Sequence, residues 1–153
     1  MIFRFSMILL MFFALGFSQD LKVMSFNIRL NLESDNENAW SERKKDATAL
    51  LAYYHPDFFG VQEALPEQMK DIKEGLENYD FVGVGRDDGK EKGEFSALFY
   101  DTKKLQVIKS GTFWLSETPE KPSKGWDAAY NRVCTYAIFK DKKSKKEFLA
   151  MNI

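Results

Sequence analysis

The sequence is poor in covalent and electrostatic aids to folding. Its 153 residues include one cysteine, Cys134, and one histidine, His55. A single cysteine excludes an internal disulfide, so the core alone must hold the chain together. An excess of positive charge is also missing: 22 Lys and Arg stand against 23 Asp and Glu, a formal net charge of −1. Non-specific binders of nucleic acid or anionic membrane depend on such an excess, so that class receives no support. Recognition of one phosphate at a defined site stays open. No internal repeat, low-complexity tract or linker divides the chain. Apolar mass is abundant, with 44% hydrophobic residues and 14 phenylalanines, enough for the core of one domain.

The longest apolar run lies at the start. In "MIFRFSMILLMFFALGFSQD", one positive charge, Arg4, precedes an apolar stretch from Met7 to Phe17. Small residues at alternate positions, Gly16 and Ser18, then close it. This pattern predicts a signal peptide over residues 1–18, with an uncleaved anchor as the alternative. The run is short for a membrane span, so no stable membrane anchor is expected. No cysteine stands at the cleavage point, so a lipoprotein is not supported. The expected mature chain is exported, periplasmic or secreted. Loss of Arg4 leaves 21 basic against 23 acidic residues, a net of −2.

From residue 19 the pattern alternates strand and helix. "LKVMSFNI" predicts a strand over 21–28, followed by a polar loop. Ser41 is expected to cap a helix over 42–54, with Ala47, Leu50, Leu51 and Tyr54 on its inner face and Arg43, Lys44 and Lys45 in water. His55-Pro56 ends it. "DFFGVQE" reads as a second strand, and Pro66 opens a second helix with Met69, Ile72 and Leu76 inward. Strands follow at "YDFVGVG", "FSALFYD" and "KLQVIKSGTFWLS". After the loop "ETPEKPSKGWDAAYN" come "RVCTYAIFKD" and "KEFLAMNI", joined by a lysine-rich turn that reads as a solvated hairpin tip. Cys134 reads as a small buried side chain. The predicted class is α/β with a mixed sheet: early crossovers give parallel neighbours and later hairpins antiparallel ones.

Asn27 and Glu63 each stand at the end of a strand. Parallel strands joined through one helix bring their C-terminal ends to one sheet edge, where ligands bind in open α/β sheets. An amide oxygen plus a carboxylate suits Mg²⁺ or Mn²⁺, although polar residues at strand ends are also common. His55 lies at a helix end, away from this edge, and is better read as helix-terminal than as a base.

The stretches "VMSFNIR", "DFFGVQEALPEQ", "GEFSALFYD" and "GTFWLSETPEKPSKGWDAAYNRVCTYAIF" resemble successive motifs of the endonuclease/exonuclease/phosphatase superfamily. The resemblance implies that 19–153 is the N-terminal half of a four-layer sandwich, mixed β-sheets flanked by helices. It also implies an exported Mg²⁺-dependent phosphoesterase, with Mn²⁺ an alternative ion. Asn27 and Glu63 would be metal-site residues. Glu94 resembles an acid that orients a catalytic histidine; otherwise it is a solvent-facing strand start. Arg132 matches an arginine that approaches the substrate phosphate; otherwise it pairs with Asp127 at the surface.

The family's later motifs, an Asn-Thr-His stretch, a Gly-Asp-x-Asn stretch and a terminal Asp-His pair, have no counterpart here. The first would begin at "MN", and the sequence reads "MNI". The resemblance therefore predicts a chain truncated at Ile153 that requires a C-terminal half, with a largely apolar sheet face left exposed. The phosphate-ester substrate stays undivided between nucleic acid, sugar phosphate and lipid phosphodiester. The competing expectation is a non-catalytic module that binds a phosphate ligand.

Overall fold

A computed structural model describes residues 20–153. The expected signal peptide, 1–18, lies outside these residues. Among these described residues, seven strands and two α-helices follow one another in the expected order. The strands are β1 (Val23–Asn27), β2 (Phe58–Ala64), β3 (Tyr79–Val82), β4 (Phe95–Asp101), β5 (Leu105–Trp114), β6 (Val133–Asp141) and β7 (Glu147–Asn152). Helix α1 (Trp40–Tyr54) separates β1 from β2, and α2 (Pro66–Gly75) separates β2 from β3. Among the described residues no helix is long and apolar enough to cross a membrane.

The strands form two sheets. Sheet 1 has the order β1-β2-β4-β3 and is mixed: β1 and β2 are parallel, while β4 is antiparallel to both its neighbours. Sheet 2 is the antiparallel meander β5-β6-β7. The crossover through α1 forces the parallel pair, whereas β3–β4, β5–β6 and β6–β7 follow one another without a crossover helix and pair antiparallel. The α/β class and mixed sheet predicted from the sequence are present.

Two apolar layers hold the elements together. Between the helices and sheet 1 lie Trp40, Leu51, Met69, Ile72, Phe59, Tyr79 and Phe99. Phe59 and Phe99 stack across β2 and β4 with centroids 5.0 Å apart and planes 2° from parallel. Such ring pairs add about 0.5–1.5 kcal/mol beyond area burial. Between the two sheets lie Leu98, Leu105, Ala137, Phe139 and Ala150, with Phe58, Tyr100 and Phe148 packed against them. This corrects in part the expectation of an uncovered sheet face. Sheet 1 is covered on one face by the helices and on the other by β5–β7 over β2, β3 and β4, while Val23 and Ser25 of β1 stay exposed on the side of sheet 2. Also open is the outer side of sheet 2, where Leu149 and Met151 alternate with the inward Phe148 and Ala150.

Helix α1 departs from its expected start. It begins at Trp40, with Ala39 at the N-cap and no side-chain cap, so Ser41 lies inside the first turn. The inner face runs Trp40, Ala47, Leu51, and Leu50 and Tyr54 are exposed. The Trp40 indole N–H donates to Asp71 Oδ2 of α2 at 2.8 Å, which fixes the rotation of the helix. Arg43 is not a water-facing side chain: its guanidinium donates to the carbonyls of Ile28 and Asn38, tying α1 to the chain after β1. Lys44 pairs with Asp71. Helix α2 behaves as its sequence implies, with Pro66 in the first turn and Met69, Ile72 and Leu76 buried.

Candidate active site

The C-terminal ends of β1 and β2 meet at one edge, with Asn27 paired to Gln62 in register. There β2 breaks from its partner β4. Val61 pairs with Ala97 and Ala64 with Phe95, so Gln62 and Glu63 together oppose the single residue Ser96. This is a β-bulge, and it turns Glu63 to φ 61°, a left-handed conformation unusual for a residue with a Cβ. The bulge re-aims a side chain that regular alternation would have sent to the opposite face.

Glu63 is held on both oxygens. Asn27 Nδ2 donates to Oε1 at 2.8 Å, and the Leu30 backbone N–H donates to Oε2 at 3.2 Å. Asn27 Oδ1 accepts the Arg29 backbone N–H at 2.9 Å, so the amide cannot swing away without losing two bonds. The segment 29–31 is fixed in turn by buried Gln68: its Nε2 donates to Arg29 O, and its Oε1 accepts the N–H groups of Asn31 and Leu65. The Asn27 bond, followed by the Leu30 bond, holds the Glu63 carboxyl below its ordinary pKa; Arg29 and Arg86 add to this, against the opposing effect of burial. Glu63 is thus kept ionised.

Asn27 and Glu63 line a hollow of about 370 Å³ together with Gln62, Arg86, Glu94, Ser96, Arg132, Val133 and Ile153. All four residues singled out from the sequence, Asn27, Glu63, Glu94 and Arg132, therefore face one space. A larger hollow of about 630 Å³, lined by Lys22, Lys103, Lys104, Lys142 and Lys143 with Asp20, Asp57 and Asp141, contains none of these four. Arg132 makes no ion pair among the described residues, with Asp127 or any other acid. His55 is the C-cap of α1, beside the Tyr79 hydroxyl, and does not line the hollow.

Two residues of this region escaped the sequence reading. Arg86 lies in the charged loop after β3, yet its side chain is only 12% exposed and its Nη1 donates to Glu94 Oε2 at 2.8 Å. The pairing of Gly85 with Phe95 places Arg86 next to Glu94. A hairpin register drawn from the two strand ends would have shown this. Asn152 was read only as the start of a later motif. Its side chain is buried between the sheets, donating to Val61 O at 2.8 Å and Ala97 O at 2.9 Å and accepting from Gln62.

The donor set can be weighed against a divalent ion. Among the described residues no group of three or more His, Cys, Asp or Glu gathers. Zinc sites use such clusters, usually with His or Cys. A single ionised carboxylate with free lone pairs fits Mg²⁺, which retains several waters and takes one or two carboxylates from the protein. The Asn27 amide presents nitrogen to Glu63 and oxygen to Arg29, so in this arrangement it orients the carboxylate.

Comparison with known proteins agrees with this architecture. No family model matches the chain. The mannosyl-6-phosphatase of Bacteroides thetaiotaomicron is 47% identical over 86% of this chain and 50% of its own, with a TM-score of 0.84. An endonuclease/exonuclease/phosphatase of Bacteroides vulgatus is 43% identical over 88% of this chain and 52% of its own, with a TM-score of 0.87. An uncharacterised protein of Acanthamoeba polyphaga mimivirus is 27% identical over 142 residues, 87% of this chain and 53% of its own. The chain has the fold of the endonuclease/exonuclease/phosphatase family and is similar to its members over nearly all of the described residues. It spans about half the length of the relatives it matches.

Proposed function

We propose that this chain carries the metal-holding and phosphate-recognising part of the site of an exported, Mg²⁺-dependent phosphoesterase that acts on a sugar phosphate. The observation that carries the reading is the hollow itself, where an ionised, doubly held Glu63 faces the unpaired Arg132. The similarity to a mannosyl-6-phosphatase supports the sugar phosphate. Mn²⁺ is the alternative ion.

Glu63 holds the cation in this reading, and Asn27 and the Leu30 N–H fix the carboxylate. When bound, the ion draws charge from the phosphate oxygens and stabilises the leaving oxygen. Arg132 binds the phosphate through its planar fork of donors. None of the residues lining the hollow is a histidine. The reading assigns the base that activates water to the part of the fold that the relatives have beyond the matched half. A module that binds phosphate without turnover is the second reading. It is favoured by one observation: the chain's own β5–β7 cover sheet 1 over β2, β3 and β4.

The deciding experiment measures hydrolysis of mannose 6-phosphate with Mg²⁺ by the full chain and by the chain joined to the C-terminal half of the Bacteroides thetaiotaomicron phosphatase. The expected result is turnover by the joined protein, lost at least about a hundredfold with Glu63→Gln. A folded joined protein that hydrolyses no phosphate ester, or keeps its rate with Glu63→Gln, overturns the proposal. Export is tested separately: N-terminal sequencing of the secreted product should begin at or near Gln19, and an intact Met1 would refute it.

A further inference from the structure

We infer that Arg86 is a second phosphate-binding residue of the hollow, and that Glu94 holds its place until the ligand's phosphate displaces it. The inference rests on the reading that the hollow takes a phosphate ester, and it adds a residue and an order of events.

The first ground is the state of the guanidinium. The Arg86 side chain is 12% exposed, and its Nη1 donates to Glu94 Oε2 at 2.8 Å. Its Nε is buried and has no hydrogen-bond partner, the one such side-chain atom among the described residues. Its nearest acid on that side, Asp87, is 3.9 Å away. Arginine carries five N–H donors; Glu94 answers one on Nη1, and the Nε–H is the one shut off from water without an acceptor. A largely buried charge with an unmet donor is costly, and a structure retains it where something else supplies acceptors.

The second ground is that the residue is fixed in place. Its carbonyl accepts the Trp114 indole N–H at 2.7 Å and the Asn131 amide at 3.2 Å, and its guanidinium lies 5.1 Å from the Tyr130 ring centroid. These contacts bind the loop after β3 to the segment leading to Arg132. Two arginines consequently face one space, Arg132 without a partner and Arg86 only partly paired. A tetrahedral phosphate with three or four acceptor oxygens matches two converging guanidinium groups better than any single carboxylate does. The Glu94 carboxylate occupies Arg86 in the absence of ligand and competes with the incoming anion.

This arrangement predicts substitutions with opposite signs. Binding of inorganic phosphate and of mannose 6-phosphate to the full chain is measured by calorimetry in EDTA, so that neither metal nor turnover enters. Arg86→Gln should weaken both ligands about tenfold, the effect of losing charge-assisted hydrogen bonds. Arg86→Lys should fall between, keeping the charge and losing the fork. Glu94→Gln should tighten both about threefold, because it removes the competing anion and leaves Arg86 in need of a partner. Equal affinities for the two ligands mean that the phosphate alone is read, and tighter mannose 6-phosphate means that the sugar is also touched. Both results support the inference. If Arg86→Gln melts without cooperativity, Arg86→Lys and Glu94→Gln decide. A purely structural ion pair would make Glu94→Gln weaken binding or leave it unchanged, and either result overturns the inference, as does absence of saturable binding to the unsubstituted chain. A protein that fails to hydrolyse esters can still show the paired signs, so this proposal and the catalytic one fail separately.

Discussion

Asn152 lays its side-chain amide against Gly60 across the gap between the two sheets: a Cβ built on Gly60 would meet Asn152 Oδ1 at 2.6 Å. Gly60 is thus glycine for want of room, with the amide donating to Val61 O and Ala97 O on either side. Gly60→Ala should destabilise the protein by about 2 kcal/mol, seen as a lower midpoint in thermal denaturation. Combining it with Asn152→Ala should cost less than the sum of the two single changes, because the clash is then gone.

Removal of the Asn27 amide should raise the Glu63 pKa. In the folded protein that pKa lies below the ordinary 4.5, and the hydrogen bond from Asn27 is the leading cause. The linked stability is present above the unfolded pKa and lost as pH falls through the lower, folded one. Asn27→Ala should therefore move the carboxyl titration, followed by carbon-13 chemical shift, upward toward its ordinary value. An unmoved titration would show that Asn27 does not control the charge on Glu63.

Asp71→Ala should strand the Trp40 indole N–H. Trp40 is 2% exposed and its N–H donates to Asp71 at 2.8 Å. A buried donor left unsatisfied costs about 1–3 kcal/mol. Urea titration followed by tryptophan fluorescence should show that loss, and a change below a few tenths of a kcal/mol would mean that water replaces the carboxylate.

Cys134 should resist thiol reagents in the folded state. It is 1% exposed, and burial pushes its thiol pKa up, so little reactive thiolate forms at neutral pH. Labelling should proceed only in denaturant, and rapid labelling of the native protein would contradict the packing of β6 between β5 and β7.

The order of elements was readable because period-two and period-3.6 apolar patterns report burial directly. The start of α1 was not readable: Ser41 has the chemistry of a cap, but Trp40 is drawn into the core and bonded to Asp71, which pulls the helix back past it. Asn27 and Glu63 stood out as polar residues ending apolar strands. Glu94 and Arg132 could be singled out through family motifs. Arg86 was hidden, because in sequence it sits among Asp87, Asp88, Lys90, Glu91 and Lys92, and such a run reads as solvated. Only the pairing of Gly85 with Phe95 shows that it turns inward. The expectation of a bare sheet failed over β2–β4 because β5–β7, read as further strands, fold over as a second layer; it held at β1, where Val23 is exposed.

The left-handed backbone at Glu63 has a consequence for selection in the laboratory. A residue with a Cβ at φ 61° carries about 1–2 kcal/mol that glycine would not. Glycine would also forfeit the bonds that the carboxylate accepts from Asn27 and Leu30, so the strain is offset by the same contacts that aim the side chain into the hollow. A library screened only for resistance to heat or protease should therefore keep Glu63 unless Asn27 is lost with it, because the bent backbone and its two donors stand or fall together.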